Sequence, residues 1–501
     1  MARQALHSIS WYKSTGRVDL NLIIKRTTMH ATQQLIMPWA QSSELYSAPG
    51  RLVMKLALGE APEAIPTALD VRRGAARPVE RVDGGPVDRI LRKLGGAARV
   101  ARVHTAANSL GKTGAHHQGF DDLEHATGLA RTFRVETADD CSIADLVDAL
   151  RQLDCVEEAS PLYLCATPFS SANADTASFE AAWQSREMIG APEAMAYEPG
   201  DPAVITAIVD TGVAAEHPDL RQRLRPGLDA VQLGHRDLAN GVQLLGDLSG
   251  IDADPEDEVG HGTACAAIVG ALGSGLPPGL AGECGLLPIR VLGAARVSGK
   301  AEPVGVGRIS DIDFGVKTAI DLGATVINMS FGTPERALDS DDPRPHADVV
   351  RYGLARGCVM VAASGNSGKE ERFLPAALDG VIAVGSVNAD GKLSGFSTRG
   401  GHVKLSAPGE KVVSANLKGY QLATGTSFAA PFVAAAAALL VSRSRKRSHP
   451  TSAEKIGEIL QKTARPWRPG EGAGGGSGVL NVHAALQQLD REVDQNAGFA
   501  F

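Results

Sequence analysis

Aromatic side chains are scarce: Phe, Trp and Tyr make up 4% of the 501 residues. A core with so few rings has to be built from Ala, Val, Leu and Ile. A basic excess is also missing, since 50 Lys and Arg stand against 57 Asp and Glu, a formal net charge of −7. That balance argues against a nucleic-acid partner, whose binders carry clustered positive charge. No apolar stretch reaches the ~18 residues that a membrane span needs, so no membrane partner is expected. Ala434 to Val441 is apolar but short and reads as a buried helix. No signal-peptide core occurs in the first forty residues, where Lys25 and Arg26 cut short the run Leu20 to Ile24. The expected compartment is the cytoplasm, or the exterior if the true start lies elsewhere. The six cysteines show neither a CxxC pair nor metal-ligand spacing, which favours reduced, buried thiols. HExxH is absent, and His116, His117 and His125 read as part of a solvated loop. The short basic run at 443–447, RSRKR, reads as a solvated cap on the helix before it.

Glycine is what the chain has in plenty, 56 residues in all, which points to tight turns and close backbone approach. At 44% hydrophobic and 21% charged, the composition is that of a globular protein of two or three units. Residues 1–50 carry no periodicity and read as a flexible leader. From 51 to 165 the order is strand (RLVMKLAL), helix (PVDRILRKL), strand (99–104), strand (ARTFRVE), helix (SIADLVDALRQL) and strand (156–164). This β-α-β-β-α-β order is the ferredoxin-like, split βαβ arrangement of a small α+β domain. Residues 105–127 read as a loop or insertion. The stretch 166–182 is small and polar and reads as a linker. From 183 to 490 apolar runs such as 204–209, 286–292, 312–322, 325–329, 359–363 and 381–384 alternate with helical stretches. They imply an α/β domain with a mostly parallel sheet covered on both faces. Residues 491–501 form a tail.

Three segments carry candidate chemistry. In AVITAIVDTGV a buried strand ends at Asp210, the carboxyl end where open α/β sheets place their sites. In DPEDEVGHGTACAAIVGAL, His261 lies between two glycines at the start of an Ala-rich helix. The acidic run from Asp252 to Glu258 before it reads as a solvated loop. In GYQLATGTSFAAPFVAAAAALL, Ser427 opens a long apolar helix, where a free backbone N–H and the helix dipole favour an oxyanion.

Together the Asp, His and Ser segments, in that order, resemble the three signature blocks of the subtilisin-like serine proteases, the subtilases. GLLPIRVL, ATVINMSFG, VMVAASGNSG and LPAALDGVIAVGSVNADGKLSGFSTRG extend the resemblance over about 300 residues. It implies a triad in which His261 serves Ser427 as general base and Asp210 orients the imidazole. By the same resemblance Asn366 is the oxyanion-hole asparagine. Ser330, Phe331 and Gly332 form one wall of the pocket for the residue before the scissile bond. Ala363, Ser364 and Gly365 form the other. Small walls imply an open, apolar-tolerant pocket, with its floor from KEERFLP at 369–375. No cofactor is required. Calcium is left open as a structural ion, although the loop GSGLPPGL at 273–280 lacks the family's Asn ligands and only Asp219 matches one. His217 reads as structural, and Ala264 stands where relatives often carry a second histidine.

The expectation is a serine endopeptidase made as a zymogen. Its substrate is a protein or peptide, and its own 51–165 region is an intramolecular inhibitor. Self-cleavage is expected in the linker, where Phe169, Ser170 and Ser171 lie. Two rivals stand beside it. One is a processing protease dedicated to one partner, with a permanent N-terminal recognition domain. The other is a non-enzymatic binding protein on a protease scaffold.

Overall fold

The structure is a computed structural model. It describes residues 47–498 except 63, 108–118, 139–140, 168–169, 174–178, 235–236, 239–241, 249 and 298–301. Residues 1–46 and 499–501, and His116 and His117, lie outside the described residues; 47–50, expected in the leader, are strand, and 491–498, expected in the tail, belong to the helix Val482–Gly498.

The N-terminal part contains β1 (Ser47–Leu56), α1 (Pro86–Leu94), β2 (Arg99–Arg102), β3 (Thr132–Glu136), α2 (Ile143–Arg151) and β4 (Val156–Thr167). The strands form an antiparallel sheet in the spatial order β2-β3-β1-β4. Alternation along β1 turns Leu52, Met54 and Leu56 to one face, where they pack with Phe133, Val135, Leu91, Leu146 and Leu150. Each such side chain contributes roughly 1.5–3 kcal/mol by leaving water. Pro86 opens α1, and the Ser142 hydroxyl accepts the Asp145 N–H to start α2. One departure from the expected loop at 105–127 is a short helix, Asp122–Ala126. It is started by a capping box between Asp121 and Glu124.

The larger part holds β6 (Ile205–Asp210), α3 (His261–Gly270), β7 (Gly285–Arg290), β8 (Val304–Arg308), α4 (Ile309–Asp321), β9 (Val326–Met329), β10 (Val359–Ala363), β11 (Ile382–Val387), β12 (Val403–Pro408), β13 (Tyr420–Thr424) and α5 (Thr426–Lys446). Six of these strands run parallel in the order β12-β11-β10-β9-β6-β7, with Leu228–Asp229 added at the edge. The apolar run 312–322 is therefore helix α4, not strand. Helices α3 and α5 cover one face of the sheet and α4 the other. In α5 every residue from Ala434 to Leu440 is fully buried, so methyl-sized side chains let the helix press against its neighbours. Its composition would also suit a membrane span, yet 94% of its apolar window is buried within the protein.

The segment expected to be a linker is strand on both sides of the undescribed pair 168–169. The end of β4 pairs antiparallel with β8 (Leu164 with Arg308, Thr167 with Gly305), while Ala166 bridges Gly332 on its other edge. A short strand, β5 (Ser170–Asn173), pairs antiparallel with β13. These small polar residues show no strand pattern, and they become extended because two exposed edges of the larger part supply their hydrogen bonds. The N-terminal sheet thus runs on through β8 into Gly293–Val297 and Val242–Leu244 as seven strands. All six cysteines are free, and burial pushes the thiols of Cys165 and Cys358 up to about 12.

Candidate active site

Strand β6 delivers Asp210 to the carboxyl edge of the parallel sheet. Its Oδ1 accepts the Thr211 N–H at 2.8 Å and lies 2.6 Å from His261 Nδ1. Both side chains are fully buried. The turn that brings His261 there is held by Asp257, which accepts the Thr211 and Thr263 hydroxyls and the N–H groups of Val259, Gly260 and Thr263. Burial raises the Asp257 carboxyl above its ordinary value, against the pull of these donors. The acidic run is therefore not all solvated loop: Asp257 is an internal strut. Gly262 is required beside it, because a Cβ there would lie 2.2 Å from the Gly212 carbonyl oxygen.

Ser427 is the second residue of α5. Its hydroxyl donates to the Ser330 carbonyl at 3.1 Å, and the Ser330 hydroxyl donates back to the Ser427 carbonyl at 2.8 Å. That carbonyl is available because Pro431, four residues on, has no N–H to give it. The Cys265 thiol also donates to it at 3.4 Å, and Asn328 Nδ2 fixes the Ser330 hydroxyl at 2.9 Å. The ring of Phe428 lies 5.3 Å from that of His261, so the helix start and the imidazole are in contact. Asn366 has its amide oxygen bound by the Thr426 N–H and hydroxyl, both at 2.9 Å. Its nitrogen is therefore the end turned toward Gly425, where a Cβ would lie 3.3 Å from it.

The expected pocket walls flank this helix start. Gly365 N–H donates to Thr426 Oγ1 at 3.2 Å, and Ser330 is bonded to Ser427 as above. Phe331 is buried among Ile309, Ile312 and Cys165, with its ring 5.6 Å from that of His346. Ala363 and Ser364 are buried, and the Ser364 hydroxyl turns away to the Thr398 carbonyl. The ring of Phe373, from the expected floor, lies against both walls: a Cβ added to Gly332 or to Gly365 would meet it, a large side chain where the small walls imply an open pocket. The roles of Phe373, Asp257 and Pro431 escape the sequence reading. Of the three, Pro431 is signalled by its place four residues after the serine and Phe373 by its place in the expected floor, 369–375, while Asp257 carries no signal.

Among the described residues, Asp210, His261 and Cys265 are the one group of His, Cys, Asp and Glu spaced closely enough to hold a metal ion. Burial keeps the Cys265 thiol protonated, raising it well above its ordinary value, and the other two are bonded to each other. Asp219 accepts the N–H groups of Gly273, Ser274 and Gly275 and the Tyr420 hydroxyl, so it ties two loops together. His217 bridges the Asp219 N–H and the Gly419 carbonyl.

Residues 201–498 match the model of the Subtilase family. The chain is 32% identical over 306 residues to Thermitase of Thermoactinomyces vulgaris, covering 60% of this chain and 94% of that protein. It is 34% identical over 262 residues to the Thermophilic serine proteinase of Bacillus sp. (strain AK1), covering 52% of this chain and 55% of the relative. A solved structure, that of the Prenylagaramide maturation protease PagA, aligns at 25% identity with a TM-score of 0.47, over 60% of this chain and 98% of that one. With the parallel sheet, the Asp210–His261 pair and Ser427 at its helix start in view, the match over 201–498 makes this chain a member of the subtilase family of serine proteases.

Proposed function

We propose that the chain is a serine endopeptidase that processes itself. Ser427 Oγ attacks the scissile carbonyl while His261 Nε2 takes its proton. His261 then delivers that proton to the leaving amine, and water resolves the acyl-enzyme by the same steps in reverse. Asp210 holds the tautomer with Nδ1 protonated and stabilises the imidazolium. Asn366 Nδ2 and the Ser427 N–H receive the charge of the tetrahedral intermediate. A side-chain donor of this kind is worth about 2.7–4 kcal/mol, a value set by subtilisin itself. No metal enters these steps.

The observation that carries the reading is the course of the chain's own segment. Leu164–Thr167 is paired on β8 and Gly332, and Ser170–Asn173 on β13, whose last residue is three before Ser427. Such a two-sided, strand-like fit is how a peptide is held across a cleft for internal cleavage. Its place also supports residues 51–165 as an inhibitor held in cis. Purified wild-type protein should yield a fragment starting at 168–170, and Ser427→Ala should remain a single 501-residue chain. The same fragment from Ser427→Ala would sink self-processing, and absence of fluorophosphonate labelling at Ser427 would sink the peptidase itself.

One observation favours the alternative of a lasting N-terminal domain. Val103, Leu129, Tyr163 and Cys165 lie in one buried cluster with Ile289, Ile312 and Phe331 of the larger part. A retained N-terminal domain would suit a protease dedicated to few substrates.

A further inference from the structure

The ring of Phe373 touches both walls of the slot beside Ser427. A Cβ added to Gly332 would lie 3.4 Å from Phe373 Cδ1, and one added to Gly365 would lie 2.6 Å from Cδ2. Phe373 is 2% exposed. Its backbone is pinned, since Phe373–Leu374 pairs antiparallel with Thr333–Pro334 and Ala377 N–H donates to the Phe373 carbonyl at 2.7 Å. This holds the Phe373 Cα beside the slot, and the ring's contacts with the two glycine positions hold the side chain.

We infer that Phe373 sets the specificity of cleavage by closing the slot for the residue before the scissile bond. Compact residues (Gly, Ala, Ser, Pro) are accepted there, and Phe, Tyr, Leu and Met are refused. The inference rests on the peptidase reading above. Its physical basis is volume, because a packed interior has no room for a second large side chain where one ring already sits.

The chain's own segment narrows the cut to one bond. The flanking strands end at Thr167 and resume at Ser170, which leaves three candidate bonds. Cleavage after Phe169 would need a second ring in the slot. Cleavage before Pro168 would put a ring on the leaving nitrogen that His261 must protonate. The remaining bond is 168–169. Water adds across it, leaving a carboxylate on Pro168 and a free amine on Phe169.

The test uses the full-length chain after self-processing and a series of peptides that differ only in the residue before the cut. The new amino terminus should be Phe169. The ratio of kcat/KM for Ala over Phe should be about 100-fold or more, in the range of a tight apolar pocket refusing excess bulk. Phe373→Ala should reduce that ratio at least tenfold, and Pro168→Phe should slow self-cleavage in the wild type but less so beside Phe373→Ala. An amino terminus at Ser170, or a wild-type preference for Phe or Leu, overturns the inference even if Phe373→Ala fails to fold. Hydrolysis of no peptide, together with no fluorophosphonate labelling, overturns the peptidase reading and this inference with it.

Discussion

A single missing hydrogen shapes the start of α5. Proline at 431 frees the Ser427 carbonyl for Ser330 and Cys265, and the Ser427 hydroxyl is returned to Ser330. A half-buried titratable group elsewhere gives a pH signature. Burial, with Arg372 and Lys404 beside it, lowers His402 from 6.5 to about 4. A histidine depressed in this way is neutral in the fold and takes its proton more readily when unfolded. Its contribution is complete above 6.5 and disappears as the pH falls through 4. Thermal melts of Ser427→Ala should therefore lose Tm over this window, and adding His402→Asn should make the decline shallower. Parallel curves would show that His402 has no part in it.

Elements meet this site through glycine contacts that admit no side chain. Gly262→Ala would drive a Cβ against the Gly212 carbonyl oxygen at the junction of β6 and α3. A loss of about 1–3 kcal/mol or more is expected in urea unfolding. Gly395→Ala, where nothing lies within 4 Å of the added Cβ, should be nearly silent. Equal effects would place the requirement elsewhere. The same contrast explains what the sequence makes legible. Apolar strands and the Asp210, His261 and Ser427 segments announce themselves, because continuous burial and glycine-flanked polar residues are local patterns. The pairing of Ser170–Asn173 does not, since its hydrogen bonds come from an edge some 250 residues away in the chain. Nor does the ring of Phe373, whose place is set by Gly332 and Gly365 and by pairing with Thr333–Pro334, or the burial of Asp257 within an acidic run.

At the scale of the whole molecule, the two parts are joined by buried charge as well as by a shared core. Lys317 on α4 is 1% exposed and holds Glu124 at 2.5 Å, Asp321 at 2.6 Å and the Thr105 carbonyl at 2.8 Å. Lys55 on β1 reaches Asp348 at 3.0 Å, and Arg151 and Tyr163 converge on Asp342. Taking away one partner of a buried pair leaves the other uncompensated, at a cost of about 3–5 kcal/mol. In processed protein, Lys317→Met should let the N-terminal fragment separate at lower urea in size-exclusion runs, with higher peptidase activity. Separation at the wild-type concentration would show that Lys317 does not hold the parts together. Strand β4 adds a temporal consequence. It belongs to the N-terminal sheet at one end and to the cleft at the other. A cut just beyond Thr167 would let β5 drift from β13 at once, while the β4 end stayed zipped between β8 and Gly332. Scission and activation would then be separate events, and the delay between them would be the time needed to peel one strand off a sheet.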